Sequence, residues 1–201
     1  MKYLAAVIVT ILIVGGGWLV LRSEEPERAI NEEEPITQTE RIEDPDPAPQ
    51  LTLDTRQGEP PSVTDGIPHI QLDQTSPDDV YDSLLEQTYQ LENIVGGDSQ
   101  SSLPGAQSIS APAGLELNPR SIIMNREFAH IHADPGRGSL HMVLRESHAA
   151  YAIEPGWGVW HPFALDGRIP GMIMAFAPRD ETEIPTILTL IEASRDNALV
   201  Q

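Results

Sequence analysis

Apolar residues at the start of the chain form one unbroken run. Residues 4–21 read LAAVIVTILIVGGGWLVL and carry no charge. A helix rises about 1.5 Å per residue, so a run of this length just spans a hydrocarbon core of about 30 Å. Lys2 precedes the run, and acidic residues follow Arg22. The pattern predicts a transmembrane signal anchor over residues 1–22, with a cytoplasmic N-terminus and an extracytoplasmic C-terminal domain, which is periplasmic if the source is bacterial. A cleaved signal peptide is the alternative, although no small-residue cleavage site follows the run.

From Ser23 to Thr75 the apolar pattern disappears, and acidic and proline residues dominate. Segments such as NEEEP and EDPDPAP are typical of this stretch, which has no aromatic residue. Such a chain cannot bury enough apolar surface to offset the entropy of ordering. Residues 23–75 are therefore predicted to be a disordered linker that holds a domain away from the membrane. A protein partner for the acidic stretch is the alternative.

Helical spacing of apolar residues appears in two segments, 76–97 and 178–199. In the first segment Ser76 is the predicted N-cap, and the glycines at 96 and 97 are predicted to end the helix. Each helix has an apolar stripe that needs a partner to pack against. A globular domain is therefore predicted over residues 76–201.

Short strand patterns lie between the two helices, at residues 121–124, 127–132, 139–144 and 171–177. A further short helix is predicted for ESHAAYAIE, residues 146–154. The order of elements predicts an α+β fold. We expect a single small, mostly antiparallel sheet covered by two or three helices, preceded by the transmembrane helix and the disordered linker.

Alternation along two neighbouring strands predicts which residues share a face of the sheet. If the strands pair antiparallel, matching Ile131 with Leu140 makes their apolar faces agree. That register puts His130 opposite His141, and a slip of one residue would turn the apolar residues of one strand away from the core. The other face of the sheet is then predicted to hold Phe128, His130, His132 and His141.

Three interpretations of this histidine face remain open. It is a polar face with hydrogen-bonded histidines, or a small-molecule pocket in which imidazoles act as acid, base or hydrogen-bond donor. The third is a metal site, in which His130, His132 and His141 bind zinc or iron. The chain has no H-E-x-x-H, G-x-S-x-G or P-loop motif, which disfavours zincins, α/β-hydrolases and P-loop NTPases.

Charge and composition exclude some partners. The net charge is -19, and 20 acidic but only 4 basic residues fall between Arg22 and Ala113. No basic stripe is present to neutralise phosphates, so nucleic acid is not an expected partner. The chain has no cysteine, which excludes disulfides and thiolate metal sites. The expected partners are a small-molecule ligand and, through the N-terminal helix, the membrane.

Five short motifs occur in an order that resembles the fungal-luciferase-like domain family. They are LPGA (103–106), REFAHIH (126–132), GSLHMVL (138–144), GWGVWHPFA (156–164) and APRDETEI (177–184). The resemblance covers roughly residues 76–201. Bacterial members of this family are mostly uncharacterised, whereas the fungal enzymes oxidise a hydroxylated pyrone, 3-hydroxyhispidin, with molecular oxygen and without metal or organic cofactor.

The resemblance implies a set of site residues and an activity. The implied catalytic residues are Glu127, His130, His132, His141, His161 and Arg179. The expected substrate pocket contains Trp157, which the resemblance implies, together with Trp160 of the same aromatic segment and Phe128 of the histidine face. The resulting hypothesis is a membrane-anchored domain that binds a small aromatic or enolic molecule and oxidises it with O2 as co-substrate, without a further cofactor. The alternatives are a non-enzymatic envelope module for protein contacts and a histidine metal-binding domain that holds zinc or iron.

Overall fold

A computed structural model describes residues 51–200 of the chain. The predicted anchor and the linker through residue 50 lie outside this range. Within it, no helix is long and apolar enough to cross a membrane. The described strands are β1 Val95–Asp98, β2 Gln107–Ser110, β3 Glu127–Ile131, β4 Leu140–Val143, β5 Gly158–Trp160 and β6 Met172–Ala175. The described helices are α1 Asp78–Gln90, α2 Glu146–Ile153, α3 Pro162–Leu165 and α4 Ile184–Ala198, with a 3-10 turn at Pro119–Ser121.

The six strands form one antiparallel sheet in the order β1-β2-β3-β4-β6-β5. Helices α1, α2 and α4 pack on one face, where the hydrophobic core lies. The core residues that the strands contribute are Ile109, Phe128, Ala129, Ile131, Leu140, Met142, Ile173 and Ala175. The predicted α+β class, with a small antiparallel sheet covered by helices, is confirmed.

The pairing of β3 with β4 has the predicted register. Ile131 lies opposite Leu140, and His130 lies opposite His141. Ile131 and Leu140 are both fully buried in the core under the helices. Because alternate residues of a strand point to opposite faces, the two histidines share the face opposite to α1, α2 and α4.

A bulge at the start of β3 changes the predicted pattern at two positions. Ile109 of β2 pairs with Ala129, but the next residue, Ser110, pairs with Glu127. Phe128 is therefore the extra residue, and the alternation reverses there. The prediction that Phe128 shares the histidine face is wrong, because its side chain lies in the helix-covered core. Glu127 takes its place on the histidine face.

Helix α1 is shorter than the sequence pattern predicts. It ends at Gln90, and Val95 begins the edge strand β1 instead of continuing the apolar stripe. Gly96 does not end the helix: a Cβ atom there would lie 2.6 Å from the ring of Tyr89, so the glycine allows the tyrosine to pack over β1. Ser76 does not cap the helix, because its hydroxyl donates to Pro178 O at 2.6 Å.

The segment predicted as a strand at residues 121–124 is also different. It is a 3-10 turn followed by an isolated bridge between Met124 and Glu127. The turn is stabilised by Asn118, whose side chain accepts a hydrogen bond from Arg120 N. The predicted strand at 171–177 and the predicted helix at 146–154 are present as β6 and α2.

Residues 51–75, which we call the strap, are bound to the domain, although the sequence places them in the linker. Arg56 is only 6% exposed, donates to Ala177 O at 3.1 Å and pairs with Glu183 at 3.4 Å. Gln71 is 1% exposed and accepts from Ala177 N at 3.0 Å. Trp157 Nε1 donates to Asp54 O at 2.6 Å. Buried polar groups bind the strap, so its low apolar content does not reveal that it is ordered.

We expect Arg56→Ala to destabilise the fold by about 3 kcal/mol, because it leaves the buried Glu183 carboxylate with one fewer partner and removes the donor to Ala177 O. Denaturant unfolding of the full chain measures this change in the free energy of unfolding. Arg120→Ala, at an exposed arginine, is the matched control and should change the free energy by less than about 0.5 kcal/mol. Equal effects of the two substitutions would contradict the account of the strap.

Candidate functional site

A cavity of about 290 Å³ lies on the histidine face of the sheet. Part of its apolar wall is formed by Ile67, Ile70, Leu103, Met124, Phe163 and Ile169. Its polar surface comes mainly from five histidines, which are His69, His130, His132, His141 and His161. We call these five residues the histidine cluster. None of them is more than 6% exposed, so they form part of the interior of the domain.

The cluster is assembled by three parts of the fold. His130 and His141 come from the paired strands β3 and β4, and His132 directly follows β3. His161 stands at the start of α3, and His69 comes from the strap. His141 is central: its ring centroid lies 5.1 Å from that of His130 and between 4.5 and 5.4 Å from those of the other three.

A hydrogen-bonded chain runs from Glu127 through His130 to His141. Glu127 Oε1 lies 2.8 Å from His130 Nδ1, and His130 Nε2 lies 3.1 Å from His141 Nδ1. Burial alone would raise the pKa of Glu127, but hydrogen bonds from His130 and Ser101 hold it below its usual value. Glu127 is therefore a carboxylate and accepts the proton of His130 Nδ1.

This chain assigns the tautomers of two rings. When the His130 ring carries one proton, on the Nδ1 that faces Glu127, its Nε2 has a lone pair and accepts from His141 Nδ1–H. Neutral His141 then has its own lone pair on Nε2. That atom is buried and has no hydrogen-bond partner among the described residues.

His132 has the same tautomer for a different reason. Ser139 Oγ donates its single proton to Gly136 O at 2.7 Å. The hydroxyl oxygen, 3.0 Å from His132 Nδ1, must therefore accept the proton of that nitrogen. The lone pair of His132 is on Nε2.

His161 has the opposite tautomer. Its Nδ1 accepts from the backbone N–H of Phe163 at 3.0 Å and caps α3. The neutral ring therefore carries its proton on Nε2. His69 stands apart from this network: its Nδ1 is buried without a partner among the described residues, and its ring is parallel to that of His141.

Burial lowers the pKa of four rings of the cluster, those of His69, His132, His141 and His161, and favours their uncharged form at neutral pH. Desolvation, and then the neighbouring histidines, lower the pKa of His132 to about 3. The same causes lower the pKa of His161 to about 4 and that of His141 well below its usual value, and burial lowers that of His69. Neutral imidazoles bind hydrogen-bonding ligands and transition metals, so the cluster is suited to either role.

Two sets of three histidines have the spacing of a metal site. They are His130, His132 and His141, and His69, His141 and His161. In each set, one ring nitrogen per residue lies within 4.8 Å of the other two. His141 belongs to both sets.

The structure brings together five of the residues predicted for the site and separates four others. Glu127, His130, His132, His141 and His161 form one connected group. The separated residues are Phe128 and Trp157 in the core, Trp160 packed against it, and Arg179, which pairs with Glu183. These four do not line the cavity.

Sequence reasoning missed His69 and Ser101, which both line the cavity. Ser101 Oγ hydrogen-bonds to Glu127, and so does Ser99 Oγ, at 3.0 Å. The sequence pattern places His69 in the predicted linker, residues 23–75. Its only signal is that it is the one histidine outside the C-terminal part of the chain.

Residues 125–194 match a family model described as Luciferase domain. The match runs from the start of β3 into α4 and contains four of the five clustered histidines. No curated protein and no solved structure matches the chain. The resemblance to luciferase-like domains that the motifs indicate is thus confirmed over residues 125–194.

We expect the metal-free chain to lose stability as the pH falls from about 6.5 to about 5. The rings of His132 and His161 stay neutral between these pH values when the chain is folded, whereas a histidine in the unfolded chain takes up a proton near pH 6.5. The unfolded state therefore binds more protons, and stability is lost on the acid side. Each such ring contributes a slope of up to about 1.4 kcal/mol per pH unit.

Denaturant unfolding of the full chain in the presence of a chelator measures this slope. His161→Asn, which keeps an oxygen to cap α3, should reduce the slope by about the contribution of one ring. A free energy of unfolding that does not change between about pH 6.5 and 5 would show that the rings are not held neutral.

Proposed function

We propose that the cavity binds a small enolic or aromatic molecule and that the domain oxidises this molecule with O2. The observation that carries the proposal is the combination of an apolar cavity with a buried cluster of neutral imidazoles beside it. Apolar pockets with a few convergent polar groups are the usual form of small-molecule sites.

The chemistry of the wall restricts the ligand. Among the described residues, none with a formal charge lines the cavity. A charged ligand would lose its hydration without gaining a partner, so the wall favours a neutral molecule with a flat apolar body. A volume of about 290 Å³ is small for a ligand pocket, which favours a molecule of one or two rings.

The cluster supplies two functions that an enol needs. His161 Nε2–H donates to a ligand oxygen, because its Nδ1 is occupied by Phe163 N–H. A neutral imidazole elsewhere in the cluster takes the proton of the ligand hydroxyl. The enolate carbon then bonds to one atom of O2. The carbon loses two electrons, the O2 becomes a peroxide, and the proton returns to it as a hydroperoxide. The support for O2 as the oxidant comes only from the match to the luciferase family model.

Blocking the cavity should abolish ligand binding. Leu103→Trp places a large ring in the wall and should weaken the binding of a neutral aryl-substituted hydroxypyrone by at least about tenfold, or about 1.4 kcal/mol. Isothermal titration of the full chain measures this affinity, and an oxygen electrode measures O2 uptake. Leu165→Trp, at a leucine that is 73% exposed and outside the cavity, is the matched control and should bind as the wild type does.

The same assay tests the hydrogen bond from His161. His161→Asn keeps a cap for α3 but removes Nε2–H, so affinity should fall by about 1–3 kcal/mol while the fold is retained. His148→Asn alters a buried histidine of α2 outside the cluster and should leave affinity unchanged. The proposal is wrong if wild type and Leu103→Trp bind the hydroxypyrone equally, or if neither binds it and no O2 is consumed.

A further inference from the structure

We propose that His130, His132 and His141 bind one divalent transition-metal ion at the base of the cavity. This inference goes beyond the proposed oxidation. It depends on the hydrogen-bond partners of the three rings and not on any ligand in the cavity.

The backbone places the three rings around one point. His130 and His132 are alternate residues on the same face, and His141 lies opposite His130 on β4. Their nitrogens lie within 4.8 Å of one another, and His130 Nε2 is 3.1 Å from His141 Nδ1. Nitrogens that bind one zinc ion tetrahedrally at about 2.0–2.1 Å lie about 3.3 Å apart. The observed separation is therefore already close to that of two ligands of one ion, once the proton of His141 has moved from Nδ1 to Nε2.

The neighbours of these rings orient them as metal ligands. Histidines that bind metals almost always donate their other N–H to a carboxylate, carbonyl or similar acceptor. His130 donates Nδ1–H to Glu127, and His132 donates Nδ1–H to Ser139. Both rings therefore turn the Nε2 lone pair away from these acceptors. The Glu127 carboxylate is itself held by hydroxyls of Ser99 and Ser101.

The tautomer of His161 distinguishes this set from the second one. His161 Nδ1 already accepts a proton from Phe163 N, so the neutral ring carries a proton on Nε2 and has no lone pair for a metal. The set of His69, His141 and His161 would need that hydrogen bond to break. In the set on β3 and β4, the ion replaces the hydrogen bond between His130 and His141, and the proton of neutral His141 moves from Nδ1 to Nε2. The same proton shift in His161 would turn Nδ1–H against the backbone N–H of Phe163, so the two sets differ in what binding disrupts.

The donor set narrows the kind of metal. Three neutral imidazoles with no thiolate suit Zn²⁺, Fe²⁺, Cu²⁺ or Ni²⁺ and disfavour Mg²⁺ and Ca²⁺, which prefer oxygen ligands. Three protein ligands leave a fourth position for water or a ligand, as in catalytic zinc sites. All three histidines line the cavity, so a small molecule bound there can reach that position.

Titration of the chelator-treated full chain with Co²⁺ tests the proposal. Co²⁺ replaces Zn²⁺ in tetrahedral sites and gives visible absorption bands. We expect one Co²⁺ per chain, displacement by Zn²⁺, and three imidazole ligands by X-ray absorption spectroscopy. Because these measurements use the wild type, they remain decisive even if a variant fails to fold.

Variants within the same cluster provide matched controls. His130→Asn and His132→Asn should reduce Co²⁺ affinity by at least about 100-fold, whereas His69→Asn and His161→Asn should keep it. Glu127→Gln should reduce it by about 10–100-fold, as expected for a residue that positions a ligand. Leu103→Trp should keep metal affinity even though it blocks the cavity, which separates this proposal from ligand binding. The proposal is overturned if the wild type does not bind Co²⁺. It is also overturned if His69→Asn and His161→Asn lose Co²⁺ binding while His130→Asn retains it.

Discussion

The pairing of Ile131 with Leu140 is the constraint on which the site depends. Both side chains are fully buried under the helices, and fully burying one such side chain contributes about 1.5–3 kcal/mol. A shift of one residue would turn the apolar set of one strand to the cavity face and its histidines into the hydrophobic core. The histidines are thus brought together by the hydrophobic core on the opposite face of the sheet. Contacts among the histidines do not set the register of β3 against β4.

Two departures from regular structure complete the site. The bulge at Phe128 puts an aromatic ring into the core and turns the Glu127 carboxylate toward His130. The strap adds His69 and forms part of the cavity wall through Ile67 and Ile70. A regular strand would place Glu127 on the core side. Among the described residues, Glu127 is the only carboxylate that hydrogen-bonds to the cluster, and the bulge places it there. Its hydrogen bond to His130 in turn determines the tautomers of His130 and His141.

The part of the site that follows from alternation could be predicted from the sequence. The opposition of His130 and His141 required only the apolar pattern of two strands. The bulge could not be predicted, because alternation assumes that no residue is extra. His69 could not be predicted either: the strap has the average composition of a linker, and its order comes from a few buried polar contacts such as those of Arg56 and Gln71. Nor did the apolar spacing of α1 show that Val95 belongs to an edge strand.

The central claim is that the hydrogen-bond partners divide the histidine cluster into rings with opposite tautomers. Long-range ¹H–¹⁵N correlation spectra of the full chain, labelled at histidine and treated with chelator at neutral pH, report directly which ring nitrogen carries the proton. We expect protonated Nδ1 in His130, His132 and His141, and protonated Nε2 in His161. Protonated Nε2 in His130 or His132, or a doubly protonated ring anywhere in the cluster, would contradict the claim.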